Sequence, residues 1–454
     1  MYREKLLGVA EALPFTYISS METDKLIACE TLEVVKAYLK GLVKAGAVDE
    51  QLASSIEAEL LELQRDPSPL WREEAADIHE AIESYLVKKL GLAASQIALG
   101  RSRNDQVAAA LRLKTKTLLY EILAEIAELR RTALDLALSN LETPIPAYTH
   151  ERPAQVSSLA HYLSYLDEML EDYERVLSSV LEIVDKSPLG AGPAAGTMVP
   201  IDRAYVSSLL FRGLVYNSLY ASGSRDFLML AVAVAASLLV ALSRIASDLI
   251  YFSSPEAGFL ELPSSHLDTS SIMPHKKNPV TLEIIRARAG EAVGRLAGIM
   301  SIAKGLRSGY SLDFQEANDD ALYVLIEAKR ALAVLRDALS KTRVDSERAR
   351  RYLEEFQPVA AEVAELLALK TGKPFREVYW EIARAIREEG GLERALEKME
   401  KLYGVRVTVD EALRKPSEGS PNPDYLRRRL ESRLAEASLR SSELRKILES
   451  ARCR

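Results

Sequence analysis

The stretch EILAEIAELRRTALDLALSNL, residues 121–141, decides the fold class of this chain. Its apolar residues recur at positions i, i+3, i+4 and i+7 with charged residues between them, a spacing that places them on one face of a helix. The same period runs through residues 282–306 and 319–340, whereas the best strand-like run, YGVRVTV near Val405, is short. The sequence therefore predicts an all-α protein whose long middle helices bury their apolar faces against one another.

A neighbouring segment, FLMLAVAVAASLLVALS at residues 227–243, carries no charged residue. A membrane-spanning helix needs about 20 predominantly apolar residues. This segment is rich in alanine, follows Asp226 directly and is followed by Arg244. Because a helix that is apolar all round also suits the centre of a large bundle, we predict a buried core helix and no membrane partner.

The 454 residues exceed one ordinary domain, and such a length is typical of about three. We predict an N-terminal mostly helical domain (1–106), a central long-helix bundle (107–347) and a C-terminal small helical domain (348–454). Clusters of Gly and Pro at residues 188–200, 253–268 and 415–424 are typical of loops between helices.

The composition of the chain indicates which partners to exclude and which cellular compartment to expect. The net charge of −7 argues against nucleic acid or an acidic membrane surface as a partner. The only two cysteines, Cys29 and Cys453, form no disulfide framework and no metal-ligand spacing, which fits a reducing compartment. The first residues, MYREKLLGVAEALPF, lack the apolar core of a secretory signal. We therefore expect a cytoplasmic protein.

Polar residues concentrate in three stretches that interrupt the helical pattern. GRSRNDQV (100–107) precedes a long helix, where arginine forks bind carboxylates and the helix N-terminus attracts anions. A helix cap at Asn104 or Asp105 with solvated arginines is an equal alternative, although it leaves the density of polar residues unexplained. PAYTHERPAQ (146–155) places His150 beside two hydroxyl groups, and TSSIMPHKKNP (269–279) places serines near lysines in a loop suited to an anion. None of the five histidines has zinc-like spacing, so we predict no metal site.

Together these three stretches resemble, in this order, the signature regions of the argininosuccinate lyase family, which belongs to the fumarase/aspartase superfamily. Residues 188–203, 217–227, 310–318 and 372–383 are also similar to stretches of that family, so the resemblance runs from about residue 15 to 387. It implies the three-domain superfamily lyase fold. It also implies a homotetramer in which the central helices form a twenty-helix core and each active site draws on three subunits.

The resemblance further implies a reaction: the cofactor-free, reversible β-elimination of argininosuccinate to arginine and fumarate. By the match of motifs, Ser270 is the expected base, His150 the expected acid and Glu283 the carboxylate that orients His150; the reverse assignment of acid and base stays open. The Ser270 loop is expected to be mobile and to close over the substrate. The expected substrate-binding residues are Ser19, Asp77, His79, Arg103, Asn104, Thr149, Lys276, Asn278, Tyr310 and Gln315.

Several positions depart from the family pattern, and they bear on substrate specificity. The departures are Thr269 for glycine, His275 for glutamine, Asn318 for a substrate-binding lysine, and Ala109, Ala110, Glu151 and Arg152 beside the motifs. Asn318 keeps open a sister lyase acting on another succinyl-amine, such as adenylosuccinate or aspartate. A non-catalytic relative of the crystallin kind is a further alternative, against which the retention of His150, Ser270 and Glu283 argues.

Overall fold

The computed structural model describes residues 16–450, and its N-terminal part is a group of helices with its own hydrophobic cluster. Short 3₁₀ turns connect them at Lys25–Ile27, Leu70–Arg72 and Leu92–Ala98. Tyr38, Ile56 and Leu60 are fully buried at the centre of this cluster. The helices are α1 (Met21–Asp24), α2 (Ala28–Lys44), α3 (Glu50–Arg65) and α4 (Ile78–Leu90).

Long helices form the middle of the molecule, and they confirm the all-α prediction. The longest begins with a capping box. The Ser102 hydroxyl accepts a backbone N–H of the first helical turn, and the Asp105 carboxylate accepts the Ser102 N–H. The helices are α5 (Arg103–Leu138), α6 (Leu159–Val184), α7 (Arg203–Ser208), α8 (Ser218–Gly223), α9 (Asp226–Phe252), α10 (Val280–Ala303) and α11 (Asp313–Lys341).

The strands of the described residues occur only as two-stranded pairs between helices. Two antiparallel hairpins matter for function: the first strand with the second, and the sixth with the seventh. The strands are β1 (Pro144–Thr149), β2 (Arg152–Ser158), β3 (Lys186–Ser187), β4 (Gly213–Leu214), β5 (Leu260–Glu261), β6 (Asp268–Thr269), β7 (Lys277–Asn278) and β8 (Arg343–Val344).

The C-terminal part contributes to two different hydrophobic clusters. Most of its helices surround Val363, Ile382 and Met399 in a small separate cluster, whereas the last helix adds Leu430 and Leu444 to the cluster of the central helices. The helices are α12 (Ser346–Phe356), α13 (Ala360–Thr371), α14 (Phe375–Glu389), α15 (Leu392–Tyr403), α16 (Val409–Leu413) and α17 (Pro423–Glu449). The two boundaries between the three predicted domains stay a prediction.

The strand-like pattern at residues 403–409 is not a strand in the structure. Gly404 ends α15 in a left-handed conformation, with φ +61°, and Thr408 caps α16 together with Glu411. Val405 is buried between these two ends. The alternation of Val and Arg therefore reflects one buried side chain in a linker between two helix caps.

Helix α9 contains the segment predicted to be a core helix. Among residues 16–450 it is the one helix that is long and apolar enough, by length and composition, to cross a membrane. Of its most apolar window, 56% is already buried inside the single chain. The core helix of a soluble protein has the same features, and Phe227, Leu239 and Leu242 lie in the central hydrophobic cluster.

One cysteine differs from the sequence-based expectation. Cys29, near the start of α2, is disulfide-bonded. The only other cysteine of the sequence, Cys453, lies outside the described residues. A single bond is less than a disulfide framework, but Cys29 is not the reduced thiol expected from the composition.

The last helix is held in the bundle by carboxylates on α6 that are shared between arginines of α5 and α17. The Asp167 carboxylate lies 2.8 Å from Arg130 Nε and 2.5 Å from Arg433 Nε, and all three side chains are buried. Two turns further along α6, Glu174 lies 2.6 Å from Arg130 Nη1 and 2.8 Å from Arg440 Nε. Buried ions of this kind are stable only as a set, because each is expensive to leave unpaired.

We predict that Asp167→Ala lowers the free energy of unfolding by about 3 to 5 kcal/mol, because two buried guanidinium groups lose their shared carboxylate. Chemical denaturation followed by circular dichroism measures the change. The matched control is Glu168→Ala: this neighbouring carboxylate is 63% exposed and lies 3.7 Å from Arg429, so its loss should change stability by less than about 1 kcal/mol. Equal effects of the two substitutions would contradict the prediction.

Candidate active site

The beginnings of α4 and α5 meet at an ion pair. Asp77 is the N-cap of α4, where its carboxylate accepts the Glu80 N–H at 2.9 Å. Arg103, the first residue of α5, places Nη1 2.8 Å from the other Asp77 oxygen. Beside it, Asn104 donates from Nδ2 to the Pro193 carbonyl at 3.2 Å. Two expected substrate-binding stretches, distant in sequence, are thus joined directly.

Residues just before α1 pack onto the same place. The Ser19 hydroxyl donates to the Ala76 carbonyl at 3.0 Å, one residue before the Asp77 cap. Asp24 accepts the Ile78 N–H at 3.0 Å and the Ser20 hydroxyl at 2.8 Å. Burial nevertheless raises the pKa of Asp24 to about 6, because desolvation outweighs these hydrogen bonds.

His79 lies buried beneath this ion pair with both ring nitrogens unsatisfied. It is 5% exposed, and neither nitrogen makes a hydrogen bond of normal length and angle, although the Gln106 side chain lies beside the ring and favours its protonated form. The Gln106 Oε1 atom is likewise buried without a partner. Burial lowers the pKa of His79 to about 4, opposed by Asp77 and reinforced by Arg101 and Arg103. The ring is therefore neutral at pH 7 and can offer one donor and one acceptor.

The start of α11 completes the cluster. Gln315 donates from Nε2 to the Ile18 carbonyl at 3.0 Å, next to Ser19. Tyr310 lies under the guanidinium of the buried Arg225, 5.5 Å from the ring centroid. Burial raises the pKa of Tyr310; Arg225 opposes the rise. We call the following residues the amino-terminal cluster: Ser19, Asp77, His79, Arg103, Asn104, Tyr310 and Gln315.

His150 lies at the tip of the β1–β2 hairpin in a strained turn. Thr149 pairs with Arg152, so His150 and Glu151 are the two turn residues, with φ +52° and +58°. Such two-residue turns favour Asn-Gly, and a left-handed residue with a side chain costs on the order of 1 to 3 kcal/mol, a strain that clusters at functional sites. Both side chains are exposed.

The base of this hairpin is fixed by other parts of the chain. The Tyr148 hydroxyl lies 3.2 Å from the Tyr251 hydroxyl at the end of α9. On β2, Gln155 donates to Glu362 of α13 at 3.0 Å. Lys415 donates to the Val156 carbonyl at 3.1 Å and lies 3.0 Å from Glu362. The tip carrying His150 and Thr149 therefore projects from a rigid base.

Ser270 begins the tip of the β6–β7 hairpin. Asp268 pairs with Asn278 and Thr269 with Lys277. The predicted loop between the helices is therefore present, and it contains a two-stranded ladder of two residue pairs. The Ser270 Oγ atom accepts the Met273 N–H at 3.1 Å and the Ile272 N–H at 3.5 Å. Hydrogen bonds to the charged form of a group favour that form. These N–H groups therefore suit a deprotonated serine.

The expected site residues fall into three separate places within one chain. The amino-terminal cluster is one, the His150 and Thr149 hairpin tip is the second, and the Ser270 hairpin with Lys276, Asn278 and Glu283 is the third. Glu283 is exposed in the first turn of α10. Over residues 16–450, no hydrogen bond or ion pair joins any two of these places. Within residues 16–450 of one chain, His150 is therefore not joined to Ser270 or Glu283 by any hydrogen bond or ion pair.

Sequence reasoning missed three groups at the amino-terminal cluster: Asp24, Gln106 and Arg225. Gln106 and Arg225 belong to stretches already singled out, GRSRNDQV and NSLYASGSRDF, and those stretches were the available signal. Asp24 had no such signal, since only the fold brings it to the Ile78 N–H. The cap interpretation of GRSRNDQV is correct in kind but not in residue: the N-cap is Ser102, and Asp105 completes the capping box and also accepts the Gly192 N–H at 3.1 Å. In the part of the chain that the structure describes, no three His, Cys, Asp or Glu side chains are placed to hold a metal ion.

Comparison with known proteins places this architecture among the lyases. The family model described as "Lyase" matches residues 10–294. The fold is similar to that of an EDDS lyase variant with bound fumarate, with a TM-score of 0.79 and 25% identity over 97% of this chain and 95% of the other. It is also similar to that of a class II fumarase from Schistosoma mansoni, with a TM-score of 0.68 and 15% identity over 84% and 91% of the two chains. The family match and the fold thus define a lyase.

Proteins with similar sequences identify the family to which this chain belongs among the lyases. An argininosuccinate lyase of Pyrococcus furiosus is 45% identical over 93% of this chain and 92% of its own length. Another, from Pyrobaculum neutrophilum, is 41% identical over 95% and 97%. The chain belongs to the argininosuccinate lyase family.

We predict that stability falls between pH 6.5 and pH 4 partly through His79. The unfolded chain binds a proton on this histidine below about pH 6.5, whereas the folded chain does so only near pH 4. Stability is thus lost as the pH falls through this window, by about 3 kcal/mol in all. Thermal unfolding of His79→Asn across the window should show a smaller acid-induced loss. The exposed His275→Asn serves as the control, and parallel losses in all three proteins would refute the assignment.

Proposed function

We propose that this protein is an argininosuccinate lyase, which cleaves argininosuccinate reversibly to arginine and fumarate in the cytoplasm. The observation that carries the proposal is the 45% identity to an argininosuccinate lyase over nearly the whole of both chains. The EDDS lyase, at 25% identity, is a more distant relative. No cofactor enters the proposed reaction, in which a proton leaves the carbon beside a carboxylate and the guanidino nitrogen departs.

The first half of the reaction is assigned to the Ser270 hairpin. Removal of the proton builds negative charge on the neighbouring carboxylate, and preorganised donors aimed there lower the barrier. We assign Ser270 as the base, because the N–H groups of Ile272 and Met273 already point at its Oγ atom. Lys276 and Asn278 lie on the same hairpin and are assigned to the succinyl carboxylates. Closure of the hairpin would exclude water and strengthen these interactions.

The leaving nitrogen needs a proton, and His150 is assigned to supply it. Its position at the tip of a fixed hairpin suits proton transfer to a bound substrate, with Glu283 orienting the ring. Because these two residues lie in separate places of one chain, the pair would form between subunits. The opposite assignment, His150 as base and Ser270 as acid, stays an alternative.

The amino-terminal cluster is assigned to the rest of the substrate. Neutral His79 and Gln106 have unused hydrogen-bonding atoms, and Arg103 and Asn104 lie at the start of α5, where anions are favoured. Thr149 would reach the same pocket from another subunit. Asn318, 8% exposed with its Oδ1 atom unsatisfied, stands where the family has a lysine. This difference is the observation that favours a sister lyase on another succinyl-amine.

A homotetramer with shared sites is supported by the uncovered faces of the central helices. On α10, Ile284 and Val293 are 55% and 48% exposed. A Cβ atom added at Gly290, Gly294 or Gly298 would meet nothing within 4 Å. These glycines recur every four residues and so form one open stripe suited to a closely packed helix. An exposed apolar helix face is typical of an interface, and a second copy of this chain would supply a matching face.

The direct test is the absorbance of fumarate after argininosuccinate is added to the purified protein. We predict turnover with argininosuccinate and none with adenylosuccinate or aspartate. Ser270→Ala should abolish turnover while isothermal titration still detects substrate binding, since the removed hydroxyl acts on the proton being transferred. Fumarate release from adenylosuccinate alone would replace the proposed substrate, and near-normal turnover by Ser270→Ala would remove this serine as the base.

Shared sites predict complementation between two inactive variants. If each site takes His150 and Ser270 from different subunits, random tetramers of His150→Asn and Ser270→Ala contain about one intact site in four. Mixing after partial denaturation and refolding should therefore restore about a quarter of the parent activity per site. Each variant treated alone is the control. Failure to complement, with mixed tetramers verified by sedimentation and mass spectrometry, would exclude sites shared in this way.

A further inference from the structure

One buried side chain lies at the upstream base of the Ser270 hairpin. His266, at the end of a 3₁₀ turn and two residues before β6, is 5% exposed. Its Nδ1 atom lies 2.8 Å from Thr281 Oγ1, and its Nε2 atom lies 2.9 Å from Asp337 Oδ2. Both ring nitrogens are therefore used, and they bind two different helices.

The partners of His266 connect the hairpin with the scaffold. Thr281 lies in the first turn of α10, two residues before Glu283, and Asp337 lies in the last turns of α11. The hairpin itself has only two paired positions, and an isolated two-stranded hairpin is marginally stable. Its downstream end continues directly into α10. Its upstream end is attached to the bundle by the packing of Leu267 against the central hydrophobic cluster and by the hydrogen bonds of His266 to α10 and α11.

The direction of each hydrogen bond follows from the charges around the ring. Asp337 also lies 2.7 Å from Lys341, and the hydrogen bonds from Lys341 and His266 lower the pKa of Asp337. An ionised carboxylate only accepts, so Nε2–H donates to Asp337. In the neutral ring, Nδ1 then accepts the Thr281 hydroxyl. This arrangement fixes the tautomer and the rotation of the ring together.

We propose that His266 is a positioning residue for the elimination reaction: through Asp337 and Thr281 it fixes the upstream base of the hairpin that delivers Ser270 and Lys276 to the substrate. The inference rests on the function proposed above for Ser270. His266 itself does not touch the reacting atoms. Its effect is transmitted along four residues of backbone to the Ser270 hydroxyl.

The expected change in kcat follows from the sensitivity of catalysis to the position of a catalytic group. A displacement of about 1 Å at a catalytic group can reduce the rate on the order of 100-fold. A side chain that only fills space would be replaced by phenylalanine at little cost, because the two rings have similar shape. His266→Phe keeps the ring and removes both hydrogen bonds, so it separates anchoring from packing.

The test compares His266→Phe with two further variants by steady-state kinetics. His266→Phe should lower kcat roughly 10- to 100-fold and raise KM by a smaller factor, because Lys276 and Asn278 move with the hairpin while the amino-terminal cluster still holds the rest of the substrate. Asp337→Asn should retain most of kcat, since its amide oxygen still accepts from Nε2–H. Lys341→Ala removes the other partner of Asp337 and should leave kcat unchanged. Parent-like kcat in His266→Phe would overturn the proposal.

Hydrogen exchange of the unliganded protein provides a readout that does not depend on the substrate. In His266→Phe, amides of residues 268–278 should exchange faster, while those of α5 and α6 stay as in the parent. If the parent itself releases no fumarate, the proposed function fails, and exchange alone still decides the anchor. If the hairpin amides of His266→Phe exchange as in the parent, His266 does not anchor the hairpin. If they exchange faster but kcat is unchanged, His266 anchors the hairpin without positioning Ser270 for catalysis.

Discussion

The uncovered apolar faces of α9 and α10 are the constraint on which the rest of the structure depends. A long helix in a bundle is stable because its apolar face is buried, not because of local propensity. In one chain, α10 buries Leu282, Ile285 and Ala289 on one side and leaves Ile284 and Val293 exposed on another. The proposed tetramer resolves this conflict by placing equivalent faces together. It also explains why the proposed catalytic residues lie at the ends of helices and in hairpins, where neighbouring copies can meet.

Charge is distributed differently in the scaffold and in the site. In the scaffold, Asp167 and Glu174 each hold two arginines, and these side chains lock α17 against α5 and α6. Such networks make a bundle specific and rigid when every member is paired. His79 and Asn318 at the candidate site are buried with unused polar atoms, as are Arg130 Nη2 and Arg433 Nη2 in the network. The difference lies in charge: the network pairs carboxylates with guanidinium groups, whereas neutral His79 and Asn318 offer donors and acceptors that a ligand can use.

The sequence predicted the long helices because their apolar period is sustained over many turns, and it located GRSRNDQV at a helix start because polar caps break that period. It could not predict contacts between distant segments. The bond from Ile78 N–H to Asp24, or the ring of Tyr310 under Arg225, depends on how α4, α8 and α11 pack. Likewise, His266 reads in the sequence as one more residue of a loop, and only the fold places Thr281 and Asp337 against its two nitrogens.

The loss of a lysine at position 318 need not leave the substrate without positive charge. Arg225 is 2% exposed, its Nε and Nη2 atoms have no hydrogen-bond partner among residues 16–450, and the rings of Tyr310 and Phe314 lie against its guanidinium. No carboxylate offsets this charge, since Tyr310 is the group that favours the protonated form. A positive potential in a poorly hydrated pocket acts over a longer distance than one at the surface. Arg225 therefore supplies a buried positive charge beside Tyr310 although the residue at 318 is neutral.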